Sequence, residues 1–223
     1  MTWDGSTADW WRNEVESDPA YGRDVDPLLN ELLEGKGGGS TLDLGCGDGR
    51  LLARHGAVGV DASVDLVRHA AQKGPAVVGD LRRLPFASGF WSAAYAVLVL
   101  EHVEDLSEFF VEAARVVTPG GMLAVVINHP VYTAPQSGPF VDPADDEVLW
   151  RWGDYLDRGG SLHPAGSGSV LFHHRPLGDL LTAASVAGWK LERMIERSLE
   201  PAGDPLLAAQ THLPRLLGAS WRQ

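Results

Sequence analysis

The sequence predicts an α/β fold built on a doubly wound sheet, and three observations predict it. The run Thr41-Leu42-Asp43-Leu44-Gly45-Cys46-Gly47-Asp48-Gly49-Arg50 joins a short apolar strand to a glycine turn, and Ala57-Val58-Gly59-Val60-Asp61 supplies a second strand ending in an acid. Short apolar runs bounded by turn residues then alternate with segments whose apolar residues recur at helical spacing. With 223 residues and 44% hydrophobic content, the chain suits one such domain with a cap.

Taken in order, Pro27-Leu28-Leu29-Asn30-Glu31-Leu32-Leu33-Glu34 places proline at a helix start and apolar residues on one face. Residues 1–39 are therefore expected to be a helical segment. Its large aromatics, Trp10-Trp11 and Tyr21, are read as packing on the domain or as a lid. Gly35-Lys36-Gly37-Gly38-Gly39-Ser40 marks a flexible joint. Leu42 and Leu44 form the core of the first strand, and glycines at alternate positions then let the backbone turn tightly beside a ligand. A helix is predicted over residues 49–55, and a second from Ser63, its N-cap, to about Gln72.

Val77-Val78-Gly79-Asp80-Leu81 reads as the third strand and Trp91 to Val103 as the fourth with its following turn. Glu104 to Val117 carries Leu106, Phe109, Phe110 and Ala113 at helical spacing, before a Pro119-Gly120-Gly121 turn and a fifth strand ending near Asn128. Residues 129–175 are too many for a structureless loop, so an ordered insertion is expected. Leu177 to Ala187 reads as a helix closing at Gly188, with strands at Trp189–Glu196 and Leu213–Trp221.

The 30 acidic and 18 basic residues give a formal charge of −12, the wrong sign for binding through phosphate neutralisation, so no nucleic-acid partner is expected. Cys46 is the single cysteine, which rules out an internal disulfide. Neither a signal peptide nor a bilayer-length apolar run is read in the sequence, so the expected location is cytoplasmic, without membrane attachment. No metal site is expected, because His129, His163, His173 and His174 match no zinc-ligand spacing.

Asp61 ends its strand where a carboxylate in a doubly wound sheet meets the hydroxyls of a ribose, which predicts a nucleoside-containing cofactor. A dinucleotide is disfavoured. Arg50 stands where G-x-G-x-x-G from Gly45 needs its last glycine, and no Gly-Lys-Ser/Thr follows. The loop instead resembles the first motif of the class I S-adenosylmethionine-dependent methyltransferases, in their type 11 small-molecule branch: apolar-x-Asp/Glu-x-Gly-x-Gly-x-Gly. Val77 to Leu81, Leu100-Glu101-His102-Val103 and Pro119-Gly120-Gly121 resemble later motifs in the family's order. One departure is Trp91-Ser92, where the family has aromatic-Asp.

The resemblance implies a Rossmann-like seven-stranded sheet of order 3-2-1-4-5-7-6, formed by 40–128 and 176–223, with 129–175 inserted as a cap that recognises substrate. It implies S-adenosylmethionine as cofactor, held by Asp43, Gly45, Cys46, Gly47, Asp61, Ala62, Asp80, Leu81, Ala96 and Val97. Asp80 would take the adenine amino group.

Methyl transfer is an in-line displacement, so positioning is the first task and can supply roughly 7–11 kcal/mol. A base is needed only where the acceptor must lose a proton. His129 is the first candidate, because it follows the fifth strand at the carboxyl edge of the sheet. His102 and His173 follow as further catalytic candidates, and a turn or scaffold role is the alternative for His129 and His102. Tyr21, Tyr132, Trp150, Trp152 and His174 are candidate substrate contacts, since aromatic walls suit a sulfonium donor and a planar acceptor. The expected function is methyl transfer to O, N or C of a small molecule. The alternatives are a protein or tRNA acceptor, or a cofactor-binding partner subunit without catalysis.

Overall fold

The computed structural model describes residues 3–36, 38–165, 168–201, 203 and 205–223; Gly37, within the expected joint, lies outside them. Helix α1 (Ser6–Ser17) is followed by a wide π turn over Tyr21–Val25 that runs into α2 (Asp26–Leu32), where Pro27 occupies the first turn. All four residues of β1 (Thr41–Leu44) are buried, as in a strand covered on both faces. Helix α3 (Leu52–His55) is shorter than the span expected from residue 49, because Gly49 holds a left-handed φ of 79° that no helix accepts. After β2 (Ala57–Asp61), Ser63 caps α4 (Val64–Ala70) by accepting from Leu66 N–H at 3.1 Å.

Strand β3 (Ala76–Val78) stops before Asp80, which turns back instead to bridge Arg83. β4 (Trp91–Val97) leads through a 3₁₀ turn at Leu100–His102 to α5 (Leu106–Val116), capped by Asp105, whose carboxylate accepts from Ser107 and Glu108 N–H. Helix α5 buries Leu106, Phe109, Phe110, Ala113 and Val116, the face its periodicity predicts. The extended span β5 (Val117–Asn128) contains the expected Pro-Gly-Gly turn as an interruption of pairing. Trp91 faces Val117, but Ala93 already faces Met122. A Cβ at Gly121 would stand 2.4 Å from Val117 Cγ1 and 2.9 Å from the Ser92 carbonyl oxygen, so the turn requires glycine there.

Residues 129–175 hold a short helix α6 (Pro130–Thr133) and two antiparallel hairpins. The first pairs β6 (Gly138–Val141) with β7 (Val148–Arg151), the second β8 (Gly160–Ala165) with β9 (Gly168–His173). Helix α1 lies against β8 and β9. Then come α7 (Leu177–Val186), β10 (Lys190–Arg197), α8 (Pro205–Ala208) and β11 (Leu216–Arg222). Strand β11 begins later than Leu213, whose N–H instead closes a turn on the Gln210 carbonyl.

The sheet runs β10-β11-β5-β4-β1-β2-β3, parallel except for the antiparallel contacts of β11 with β10 and β5. Counted by sheet strands alone, this is the expected order 3-2-1-4-5-7-6. One face, which carries Trp221, packs on Phe109, Phe110 and Trp189, the other on Leu28, Leu29 and Leu32. Among the described residues no helix is long and apolar enough to cross a membrane.

Gly218 lets α2 sit directly on β11, since a Cβ there would lie 2.9 Å from Leu32 Cδ1 and 3.0 Å from Leu28 Cδ1. Gly218→Ala is expected to lower unfolding free energy by about 1–3 kcal/mol in urea titration, the usual cost of overpacking. An unchanged midpoint would show that α2 does not rest there.

Candidate functional site

The glycine turn is fixed by the end of β2. Gly45 and Cys46 N–H both donate to the Val60 carbonyl at 2.8 and 3.0 Å, and Gly49 N–H closes on the Cys46 carbonyl at 2.9 Å. Gly45 holds φ 80°, and a Cβ there would meet Val99 Cγ2 at 2.4 Å. Next to it, Asp61 Oδ2 accepts from Gly47 N–H and Oδ1 from Ser63 N–H, each at 2.9 Å. A carboxylate accepts about four hydrogen bonds, so Asp61 keeps acceptor capacity beyond these contacts.

A cavity of about 400 Å³ opens over this turn at the carboxyl edge of the sheet. Gly45, Cys46, Gly47, Asp61 and Ala62 floor it, and Asp80 and Leu81 bound one side. Val97, Leu98, Val99, His102 and Val103 form the far end, where Val170, Leu171 and His173 of the second hairpin meet them. Trp3, Trp11 and Tyr21 of the N-terminal segment complete the wall. His102 Nδ1 lies 3.2 Å from the Leu171 carbonyl, which only accepts, so Nδ1 carries the proton and Nε2 the lone pair. Burial lowers the His102 pKa to about 4, which keeps the ring neutral. Burial, then the Arg175 charge, also lowers the His173 pKa, and its ring hydrogen-bonds to no other described residue.

Of the residues the sequence proposed, the cavity gathers Gly45, Cys46, Gly47, Asp61, Ala62, Asp80, Leu81, Val97, Tyr21, His102 and His173. Ala96 instead faces the core, because strand neighbours alternate and Val97 takes the cavity side. Asp43 lies fully buried beneath the turn, outside the lining. His129 is also outside. Val131 N–H donates to its Nδ1 at 3.1 Å, and its Nε2–H donates to Glu196 at 2.8 Å, so it caps α6 with both nitrogens committed. His174 is likewise committed, accepting from Thr133 Oγ1 at 3.0 Å and donating to the Tyr155 carbonyl at 2.8 Å. Tyr132 and Trp150 pack with ring centroids 4.2 Å apart and planes inclined at 41°, with Arg215 over the Tyr132 ring, and line no part of the cavity. Trp152 is 60% exposed just after β7.

Trp3, Leu98, Val99 and Leu171 went unnoticed in the sequence. Val99 stands in the apolar run after β4, but nothing in the pattern marks Trp3 or Leu171. Cys46 is buried against Gly59, and burial pushes its thiol up, so thiolate chemistry is disfavoured. Among the described residues no three His, Cys, Asp or Glu side chains cluster as metal ligands.

These residues fit a nucleoside where Asp61 offers its remaining lone pairs to a ribose, and a cation beside the glycine turn, where Trp3, Trp11 and Tyr21 present rings. The sheet order and the glycine turn closed by Asp61 are those of a nucleoside-binding α/β domain. A family model described as a methyltransferase domain matches residues 42–125. A demethylmenaquinone methyltransferase of Mycolicibacterium gilvum is 32% identical over 155 residues, 68% of this chain and 60% of that protein. A ubiquinone biosynthesis O-methyltransferase of Sinorhizobium medicae is 38% identical over 119 residues, 47% of this chain and 45% of that protein. The matched region thus spans three fifths of the length of one of these relatives and less than half of the other. A solved S-adenosylmethionine-dependent methyltransferase from Mesorhizobium loti superposes with a TM-score of 0.76 at 27% identity, over 88% of this chain and 96% of that one. The chain carries a methyltransferase domain over residues 42–125 and is similar to class I S-adenosylmethionine-dependent methyltransferases, and S-adenosylmethionine is the cofactor its site fits.

Removing a carboxylate that takes charge-assisted hydrogen bonds costs about 1.5–3 kcal/mol. Asp61→Ala is therefore expected to weaken S-adenosylhomocysteine binding by on the order of 10–150-fold in calorimetric titration. Unchanged affinity would remove Asp61 from the site. Burial, opposed by Tyr95, raises the Asp43 carboxyl to about 8. Between its ordinary value and that one, the folded chain binds a proton the unfolded chain does not, so stability falls as pH rises through the window. Asp43→Asn should lose less stability than wild type between about pH 5 and pH 8, followed by thermal unfolding in matched buffers. Equal slopes would contradict it.

Proposed function

We propose that the protein transfers the methyl group of S-adenosylmethionine to a small-molecule acceptor seated between the turn after β4 and the β8–β9 hairpin. The observation that carries this reading is the continuity of one cavity from Asp61, on the nucleoside side, to His102 and His173, on the hairpin side. Its volume of about 400 Å³ suits compact ligands. Two curated relatives support the same choice, one being named for demethylmenaquinone and the other for ubiquinone biosynthesis.

In this reading the bound cofactor supplies a methyl group activated by a sulfonium charge. The chain does the rest. Gly47 and Asp61 hold the nucleoside, Leu81 flanks it, and Val97 to Val99 border the place of transfer. Trp3, Trp11 and the hairpin keep water from the reacting atoms. His173 takes the acceptor's proton, because it lines the cavity with its ring bonded to no other described residue, whereas His129 is committed to Val131 and Glu196. The residues 129–175 act as the substrate-recognising cap through the second hairpin, and 1–39 as a lid through Trp3, Trp11 and Tyr21.

Labelled S-adenosylmethionine incubated with fractionated cell extract should place label in the small-molecule fraction. Label in protein or tRNA, or in no fraction, would contradict the reading. For an acceptor that loses a proton, the rate should fall toward acid as His173 protonates. Burial and Arg175 lower that pKa while Glu104 opposes them, so the fall lies below the ordinary histidine value and the profile is flat between about pH 7 and pH 8.

A further inference from the structure

The acceptor end of the cavity carries its own chemical signature. Trp3 stands edge-on to Trp11 at 5.8 Å and to His102 at 4.6 Å, and His102 stands edge-on to Phe172 at 4.6 Å. This ladder runs from the N-terminal segment to the second hairpin, and three of its rings, Trp3, Trp11 and His102, line the cavity. Such walls take flat rings.

The cations nearby are committed elsewhere. Arg82 binds both oxygens of Asp80 at 3.1 and 2.9 Å. Arg50 pairs with Asp48 at 3.1 Å and lies over the Tyr21 ring at 4.9 Å. The Arg175 guanidinium donates to the carbonyls of Leu100, Val103 and Glu104. The Glu104 side chain, 79% exposed at the rim, adds a carboxylate there and lies 4.0 Å from Arg82. An acceptor carboxylate or phosphate would meet Glu104 and already-paired cations. An ammonium would be desolvated beside the donor's positive sulfur, at a cost in repulsion. His173, with no hydrogen bond to any other described residue, serves a nucleophile that still carries a proton.

We propose that the acceptor is an uncharged, flat aromatic compound whose ring packs on Trp3 and His102 and whose hydroxyl points at His173. This rests on the methyl-transfer reading above. As the new carbon–oxygen bond forms, the carbon–sulfur bond breaks with its electron pair left on sulfur. The hydroxyl proton passes to the His173 imidazole and then to solvent. The products are an aryl methyl ether and S-adenosylhomocysteine.

Three probes sharing one ring separate the head groups: 2-naphthol, 2-naphthoate and 2-naphthylmethylammonium. Calorimetry on the full chain first establishes S-adenosylhomocysteine binding, whose failure would sink the methyl-donor reading itself. In that complex 2-naphthol is expected to bind at least about tenfold tighter than either charged probe, and with S-adenosylmethionine to be the probe that is methylated. Tighter or equal binding of a charged probe, methylation of one, or binding of none of the three would overturn the acceptor class while leaving cofactor binding intact. His173→Asn should keep 2-naphthol affinity within about threefold and lose on the order of 100-fold or more in turnover. Retained turnover would overturn the placement of the hydroxyl at His173.

Discussion

Asp61 closes β2 with each oxygen bound to a backbone amide, Gly47 on one side and Ser63 on the other. Those two contacts fix the glycine turn relative to the start of α4, and the Val60 carbonyl fixes the same turn from below through Gly45 and Cys46. Burial raises the Asp61 pKa while the amide donors oppose the rise. The floor of the cavity is thus held by a carboxylate that needs its hydrogen bonds to remain charged. The left-handed glycines 45, 47 and 49 let the backbone follow that path.

The opposite end is held by different means. Glu101, buried in the turn after β4, accepts from Asn128 N–H at 2.8 Å and from its side-chain amide at 3.1 Å, tying the carboxyl ends of β4 and β5. Arg175 grips the carbonyls of the same turn from the end of the second hairpin, and His102 reaches Leu171 across it. The two imidazoles on the cavity are therefore set by one turn and one hairpin that hold each other. His102 is locked in one tautomer, and His173 is left available.

Much of this was legible in the sequence because it is local. The glycine spacing, Ser63 as a cap and the apolar periodicity of α5 each depend on residues a few positions apart, and the sheet order follows from motifs in sequence order. What the sequence did not reveal is contacts between distant segments. His129 stands at the carboxyl edge, as its position in the chain suggests, but Glu196, 67 residues away, takes its free nitrogen. Ala96 and Asp43 were assigned by motif, and strand alternation and burial turned them from the cavity. Trp3 enters the site only because the N-terminal segment folds back: Ser63 Oγ donates to its carbonyl at 2.6 Å. No local pattern encodes that return.

A crystal structure of the full chain with S-adenosylhomocysteine tests the central claim most directly. The account predicts ribose hydroxyls within hydrogen-bonding distance of the Asp61 carboxylate and the sulfur directed toward Val99 and His102. A ligand seated away from Asp61, or one whose sulfur faces away from His102, would contradict it.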